Sequence, residues 1–344
     1  MEARKVQVIG GTTFVVSLPK DWVRKAGLKP GEELILIPKG NSSLLIKLKG
    51  DVNKILNSTV NIEVNSKDKE EILRLIIASY LAGYQNIKIT SNIQIDPGIE
   101  SFIKENSWKF MGLEITEEYG KELILKALFN SSALTVQKGL MKMLRTVSTM
   151  HRNAIKAFIT ADARLAEETI KFDDEVDRLN LFIIRQLVLV QGSLMTSDVG
   201  IEMLEESLIY RSVIKDLERV GDYAVEIAKK VSPDLKLPSF LQQEIIELSE
   251  IAVRTYEYAL NSFLTNDIES VGNVFENEEN FNRKMKDILN VCVTQCSLDS
   301  TLLIRLIQIF DILHEMMAKG KSIMNETFNK HIMHSVMNHD SQCG

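Results

Sequence analysis

Residues 217–228 decide how the longest part of the chain folds: Leu217-Glu218-Arg219-Val220-Gly221-Asp222-Tyr223-Ala224-Val225-Glu226-Ile227-Ala228. Apolar residues recur there at spacings of three and four, which predicts a helix with one buried stripe. Glu218 and Asp222 lie one turn apart on one face of this helix. Like charges at that spacing repel each other by a few tenths of a kcal/mol. A nearby cation would remove this cost, whereas a solvated acidic face is the alternative interpretation.

The chain contains an internal repeat. Residues 158–162 (Phe-Ile-Thr-Ala-Asp) correspond to residues 263–267 (Phe-Leu-Thr-Asn-Asp), at an offset of 105 residues. The acidic positions repeat as well. At the same offset Asp173 pairs with Glu278 and Asp177 with Asn282, whereas Glu218 pairs with Asp311 and Asp222 with Glu315 at an offset of 93, because the second copy is 12 residues shorter between these points. A random solvated face would not be expected to repeat in this way, so the repeat favours a functional acidic cluster.

Carboxylates that converge from adjacent helices form sites for hard metal ions. We therefore predict that the metal ligands are the acids of both copies: Asp173, Asp177, Glu218, Asp222, Glu278, Asp311 and Glu315. The second copy departs from the pattern because Asn282 replaces an acid. In addition, Ile312-Leu313-His314 stand where the first copy has Arg-Val-Gly. The second copy therefore matches the acidic pattern only in part.

The segments Asp173-Asp174-Glu175-Val176-Asp177-Arg178-Leu179 and 217–228 resemble the paired motifs of PhoU, a family of phosphate-uptake regulators. The resemblance implies a tandem of two three-helix bundles that binds divalent or trivalent metal ions: iron, zinc, magnesium or manganese. It also implies contacts with components of a phosphate transporter or of a sensor. We expect helices at residues 133–158, 161–190, 196–231, 239–264, 267–296 and 298–328.

Charge is distributed unevenly along the chain. The 344 residues carry a net charge of −6, but the first 50 hold nine Lys/Arg against four Asp/Glu, which leaves +5 there and −11 on the rest. Such asymmetry is typical of a protein in which one module binds a polyanion and another does not.

The first 50 residues alternate between β-rich runs and Gly or Pro turns, with a short helix after Pro19. The order of Leu18-Pro19-Lys20, Val23-Arg24 and 27–32 (Gly-Leu-Lys-Pro-Gly-Glu) resembles the AbrB/SpoVT/MazE family. This resemblance implies a swapped-hairpin homodimer that binds DNA through a basic surface. The candidate DNA-binding residues are Arg4, Lys5, Thr12, Thr13, Lys20, Arg24 and Lys25. The family often has an arginine where Thr12 stands, so a dimerisation domain without DNA binding is the alternative.

Together these patterns predict an α+β, mostly α fold. The expected domains are an AbrB/SpoVT-like domain at 1–50, a small α/β coupling module at 51–130, three-helix bundles at 131–235 and 236–330, and a polar tail at 331–344. We interpret the tail as a disordered end, with a metal-binding tail as the alternative, because it carries three histidines. The combination of an AbrB-like N-terminal domain with PhoU-like helical bundles resembles the archaeal phosphate-uptake regulators.

Several function classes are disfavoured. No stretch approaches the roughly 20 apolar residues of a membrane span, and no leader segment precedes the first strand, so we expect a cytoplasmic protein without membrane insertion. Three cysteines do not suggest a disulfide framework. The sequence lacks a Gly-rich phosphate loop, a nucleophile motif and the Glu-x-x-His pairs of di-iron enzymes. We therefore expect no enzyme activity.

Two functions remain. The first is a dimeric, phosphate-responsive transcriptional regulator whose helical part senses metal or phosphate and alters DNA affinity. The second is a PhoU-type adaptor that does not bind DNA and regulates a phosphate transporter or sensor through protein contacts. DNA binding that weakens as salt rises would separate them.

Overall fold

The computed structural model describes residues 2–39, 43–49, 58–65, 67–128, 134–192, 201, 205–234, 237–269, 271–294 and 300–340. The chain divides into two compact units, Met1–Lys54 and Ile55–Gly344. Most of it is helical, with small β structures towards the N-terminus, so the predicted α+β, mostly α class is confirmed.

The N-terminal unit contains two hairpins and a helix, in the predicted order. Strands β1 (Gln7–Ile9) and β2 (Thr13–Val15) pair antiparallel, helix α1 (Lys20–Ala26) follows, and β3 (Leu34–Lys39) pairs antiparallel with β4 (Ser43–Leu48). Gly10 and Gly11 form the first turn with φ of 64° and 84°, a conformation that favours glycine.

The described residues of this unit form no buried hydrophobic core. Among its described side chains none is buried, and apolar residues that would normally be covered are largely exposed, including Phe14 at 74% and Val6 at 66%. A domain of about 50 residues buries too little surface to be stable alone. A large exposed apolar surface of this kind is typical of a site that another molecule covers.

The second unit begins with an α/β module. Its elements are β5 (Thr59–Glu63), α2 (Lys69–Leu81), β6 (Asn86–Thr90), α3 (Pro97–Ser107), β7 (Leu113–Glu118) and β8 (Glu122–Ala127). The sheet order is β5-β6-β8-β7, with β5 and β6 parallel and the remaining pairs antiparallel. Side chains alternate along these strands, so that one face packs against buried residues of α2 such as Ile72 and Tyr80.

Helices make up the rest of the described chain. They are α4 (Val136–Thr160), α5 (Ala163–Lys171), α6 (Asp173–Gly192), α7 (Glu206–Ala228), α8 (Ser239–Thr265), α9 (Val271–Thr294) and α10 (Ser300–Asp340). Helices α4 to α7 belong to the first repeat and α8 to α10 to the second. Both repeats contribute to one continuous apolar core. None of the described helices combines the length and apolar composition that crossing a bilayer requires.

Two sequence-based expectations are wrong in detail. The single helix expected at 161–190 is two helices, α5 and α6, because the chain breaks its regular hydrogen bonding at Phe172, whose N–H donates to the Thr169 carbonyl. The segment interpreted as a disordered tail continues α10 to Asp340, and His334 contacts the buried carboxylate of Glu206. A partner distant in sequence therefore orders this segment.

The structure confirms the internal repeat. Ala161 and Asn266, which are 105 residues apart, end α4 and α8 with left-handed φ angles of 54° and 56°. Equivalent residues also meet each other, because His151 Nδ1 lies 3.1 Å from the Tyr256 hydroxyl across the same offset. Contact between equivalent residues is what a two-fold arrangement produces. The repeats therefore pack through their first helices, α4 and α8, and also through α7 and α10.

Arg185 fixes the α/β module onto α6. Its buried guanidinium donates to the carbonyls of Tyr80, Gly83 and Tyr84, the last at 2.8 Å, and lies 4.7 Å from the centroid of the Tyr80 ring. These carbonyls belong to the C-terminal end of α2 and the residues just after it, where backbone acceptors lack helical partners and cations are favoured.

Replacing Arg185 should loosen this docking. We expect Arg185→Met to lower the free energy of unfolding by about 3 kcal/mol, because buried carbonyls lose their donors. Arg185→Lys should recover only part of this loss, since an ammonium lacks the planar fork. Urea unfolding measures the change. Arg211→Met on the exposed face of α7 is the control, and equal losses in the two Met variants would refute the assignment.

Candidate metal centre

The four acids of the first repeat come from two helices that cross closely. Asp173 and Asp177 lie in the first turns of α6, where the helix dipole favours acids, and Glu218 and Asp222 lie on α7. Gly221 permits the crossing: a Cβ there would lie 3.3 Å from Val147 of α4 and 3.5 Å from Val176 of α6. Val176 and Gly221 each immediately precede an acid, so this contact brings the two pairs of acids together.

These carboxylates perturb each other. Burial raises the pKa of Asp173 to about 6, with further contributions from Asp177 and Asp222. Burial and then the charge of Asp222 raise the pKa of Asp177. Burial, Asp222, Asp177 and Asp173 raise the pKa of Glu218 in that order. The structure thus places the first-repeat acids in one region where their negative charges disfavour one another.

A basic side chain already offsets part of this charge. Arg219 Nη1 donates to Asp222 Oδ2 at 2.9 Å, and its guanidinium carbon lies 4.7 Å from the centroid of the Tyr223 ring. A cation bound to Asp222 would compete with this guanidinium. Lys229 also acts against the cluster by lowering the pKa of Asp173.

The donor set fits a hard cation in charge and in chemistry. All four side chains supply carboxylate oxygens, which suit magnesium, manganese and iron better than zinc, for which nitrogen and sulfur ligands are more common. As the side chains lie, the described part of the chain holds no group of three or more His, Cys, Asp or Glu residues arranged around one ion position. Metal binding therefore stays a prediction.

The acids of the second repeat face different partners. Both carboxylate oxygens of Glu278 accept hydrogen bonds from Lys321, at 2.7 and 2.8 Å. Glu315 accepts from the Tyr223 hydroxyl of the first repeat at 3.4 Å, and Asp311 is exposed. No pattern in the sequence indicates that Lys321 contacts Glu278, because the two residues lie 43 positions apart.

The candidate DNA-binding residues are all exposed in the N-terminal unit: Arg4, Lys5, Thr12, Thr13, Lys20, Arg24 and Lys25. Two of them have acidic neighbours. Arg4 pairs with Glu2, and Arg24 Nη1 lies 3.9 Å from Asp21 Oδ1. Exposed pairs such as these are weak and do not prevent a phosphate contact.

The sequence did not predict the buried polar contacts between the two repeats. His151 is fully buried between the Tyr256 hydroxyl and Ser249 Oγ, 3.1 Å from each. Burial lowers the pKa of His151 to about 3, so its ring is neutral at ordinary pH. Only its position, 105 residues before Tyr256, could have indicated that it lies between the repeats.

Comparison with known proteins identifies the family. Residues 140–231 match the family described as PhoU domain. A protein of Thermotoga maritima, named phosphate-specific transport system accessory protein PhoU homolog 1, is 32% identical over 185 residues, which are 52% of this chain and 70% of that protein. This chain belongs to the PhoU family.

Further similarities extend over the same region and to the N-terminus. The Pseudomonas aeruginosa protein named phosphate-specific transport system accessory protein PhoU homolog is 24% identical over 57% of this chain and 81% of its own length. The crystal structure of PhoU from Pseudomonas aeruginosa aligns with a TM-score of 0.46 at 22% identity, covering 56% of this chain and 91% of that one. Residues 7–53 match the family described as antidote-toxin recognition MazE, bacterial antitoxin. The chain thus joins a MazE/AbrB-like domain to a PhoU domain, as the sequence patterns predicted.

The acidic cluster of this PhoU domain predicts a pH-dependent stability. The folded-state pKa of Asp173, about 6, exceeds its ordinary value of 3.8, so ionisation disfavours the folded state and stability falls as the pH rises from 3.8 to 6. Two pKa units correspond to about 3 kcal/mol, which solvent screening reduces to about 1 kcal/mol.

We therefore expect Asp173→Asn to stabilise the metal-free protein by about 1 kcal/mol at pH 8 and by clearly less at pH 5. Urea unfolding in the presence of a chelator measures both values. Asp234→Asn removes a charge from an exposed position outside the cluster and should change stability little at either pH. A gain that grew towards acid would contradict the charge arrangement.

Proposed function

We propose that this PhoU-family chain is a phosphate-responsive transcriptional regulator that acts in the cytoplasm and controls phosphate uptake. Its N-terminal unit would bind DNA as a homodimer, and its PhoU domain would sense metal or phosphate. The observation that carries the proposal is the presence, in one chain, of an exposed basic MazE-like domain and a PhoU domain whose four first-repeat acids repel one another. The role is regulatory and not catalytic.

Metal binding would relieve the repulsion between α6 and α7. Asp173, Asp177, Glu218 and Asp222 would hold the ion. It would add positive charge to that of the nearby Arg219, Lys229 and Lys109. A ligand that binds one arrangement of these helices more tightly shifts the population towards it. Because α6 also carries Arg185, a change at its first turn would reach the α/β module through a rigid helix.

The sensing half is tested by metal analysis of the purified full chain. We expect Glu218→Gln/Asp222→Asn to lower the affinity for manganese or iron by about tenfold or more. Elemental analysis and calorimetry measure metal content and affinity. Glu167→Gln/Asp234→Asn removes the same charge from exposed positions and should leave both unchanged. Equal metal content in the two double variants would reject the site.

Two features of the N-terminal unit support a dimer that binds DNA. Its apolar side chains lack cover within the described unit, and a second copy of the same hairpins could supply it. Its exposed Lys and Arg side chains provide the positive charge that phosphate contacts need, and Thr12 and Thr13 offer hydroxyl donors.

DNA binding should follow the salt dependence of phosphate contacts. With DNA from upstream of its own gene, we expect affinity to fall as salt rises. Arg24→Gln and Lys25→Gln should each weaken binding and reduce the salt slope by about one. Fluorescence anisotropy across a salt series provides the measurement, and Lys138→Gln, exposed on α4, is the control.

An adaptor function is the alternative. It is favoured by Thr12, which stands where the AbrB/SpoVT/MazE family often has an arginine and adds no positive charge for phosphate contacts. The chain would then act on phosphate transporter or sensor components, since its relatives are named as accessory proteins of phosphate-specific transport. Absence of DNA binding even at low salt would select this function.

A further inference from the structure

We infer that Lys321 is the resident cation of the second repeat, so that this repeat binds no metal ion and each chain has a single metal centre. The inference rests on the proposed metal binding of the first repeat. It concerns a difference between two halves that the sequence repeat would otherwise make equivalent.

The first observation is the position and geometry of the lysine. Glu278 is the repeat equivalent of Asp173, and Lys321 donates to both of its carboxylate oxygens at 2.7 and 2.8 Å. The Glu278 side chain is 27% exposed and that of Lys321 37%, so the pair is partly shielded from water. An ammonium is a compact charge with three donors and can satisfy a carboxylate as a bound ion would.

The second observation is the crossing of the helices. Phe281 and His314 replace Val176 and Gly221 at the point where the first-repeat helices meet, and their ring centroids lie 6.1 Å apart. Phe281 is fully buried. Gly221 has no side chain to hold α6 and α7 apart, whereas the equivalent positions of the second repeat carry two rings. Helices α9 and α10 therefore do not approach each other as α6 and α7 do. The contact that gathers the first-repeat acids is therefore missing.

The third observation concerns the interactions of the other residues at the acidic positions of the second repeat. Asn282 is neutral, and Glu315 accepts a hydrogen bond from Tyr223 of the first repeat. A cleft of about 290 Å³ beside Glu278 has a lining of mixed chemistry: His314, Met317, Ala318, Lys321, Ser322 and Asn325. A divalent cation in this cleft would have one carboxylate ligand and an ammonium next to it.

Electrostatics then decide against a second metal ion. A cation at Glu278 must displace Lys321 or lie within a few ångströms of it, where like charges repel strongly at the effective dielectric of a protein surface. The second repeat has thus exchanged an exogenous cation for one that the chain supplies. Occupancy of the second repeat would not respond to metal supply, whereas that of the first would.

Metal content in a protein with a neutralised first repeat provides the first test. In the full chain carrying Asp177→Asn/Asp222→Asn, we expect no bound manganese or iron by elemental analysis. If metal remains and is lost on adding Glu278→Gln, the second repeat binds metal and the inference is overturned.

The second test uses melting temperatures in the same background. We expect Lys321→Met to lower the melting temperature and to make it rise on addition of manganese, because Glu278 then lacks its cation. Lys319→Met is the matched control, since this lysine lies two residues away and pairs with Asp216 at 3.5 Å. A manganese response no larger than that of the control would overturn the inference.

The two proposals can fail separately. If the unmodified chain binds no metal, the sensing function fails, but the comparison of Lys321→Met with Lys319→Met still decides whether Lys321 is the internal cation. If the unmodified chain binds metal and the neutralised first repeat retains it through Glu278, only the inference about the second repeat fails.

Discussion

The close crossing of α6 and α7 at Val176 and Gly221 is the constraint on which the candidate site depends. It brings two pairs of acids close to one another at a partly buried surface. The two acids of each pair lie one helical turn apart. The core residues around the crossing hold the two helices in contact, so the acids stay on adjacent helices despite their mutual repulsion. Packing energy thus maintains an electrostatically unfavourable arrangement, which is how proteins prepare sites for cations.

Duplication has given the two repeats one scaffold but different chemistry. Both end their first helices with a left-handed residue, and these helices pack against each other through His151, Tyr256 and their neighbours. The similarity ends at the helix crossing, where rings replace a valine and a glycine, and where Lys321 meets Glu278. The first repeat keeps the four acids that we propose to hold a metal ion, whereas the second repeat carries its own cation beside Glu278.

The α/β module is joined to this site through helix α6. Arg185 lies twelve residues beyond Asp173 on α6 and holds the C-terminal end of α2 through three carbonyls. Helices transmit displacement along their axes because their backbone hydrogen bonds make them stiff. The module is therefore coupled to the same helix that carries two of the acids.

The sequence by itself determined most of the helices, the repeat, the order of elements in the first 50 residues and the acids that share a helical face. These features depend on periodicity and turn residues that lie within a few positions of one another. Only the tertiary structure decided that the first-repeat acids meet, that Lys321 lies on Glu278, that Arg185 holds α2 and that the last helix continues beyond residue 330. Each of these depends on side chains tens of residues apart, and local sequence does not specify which distant partner a side chain will contact.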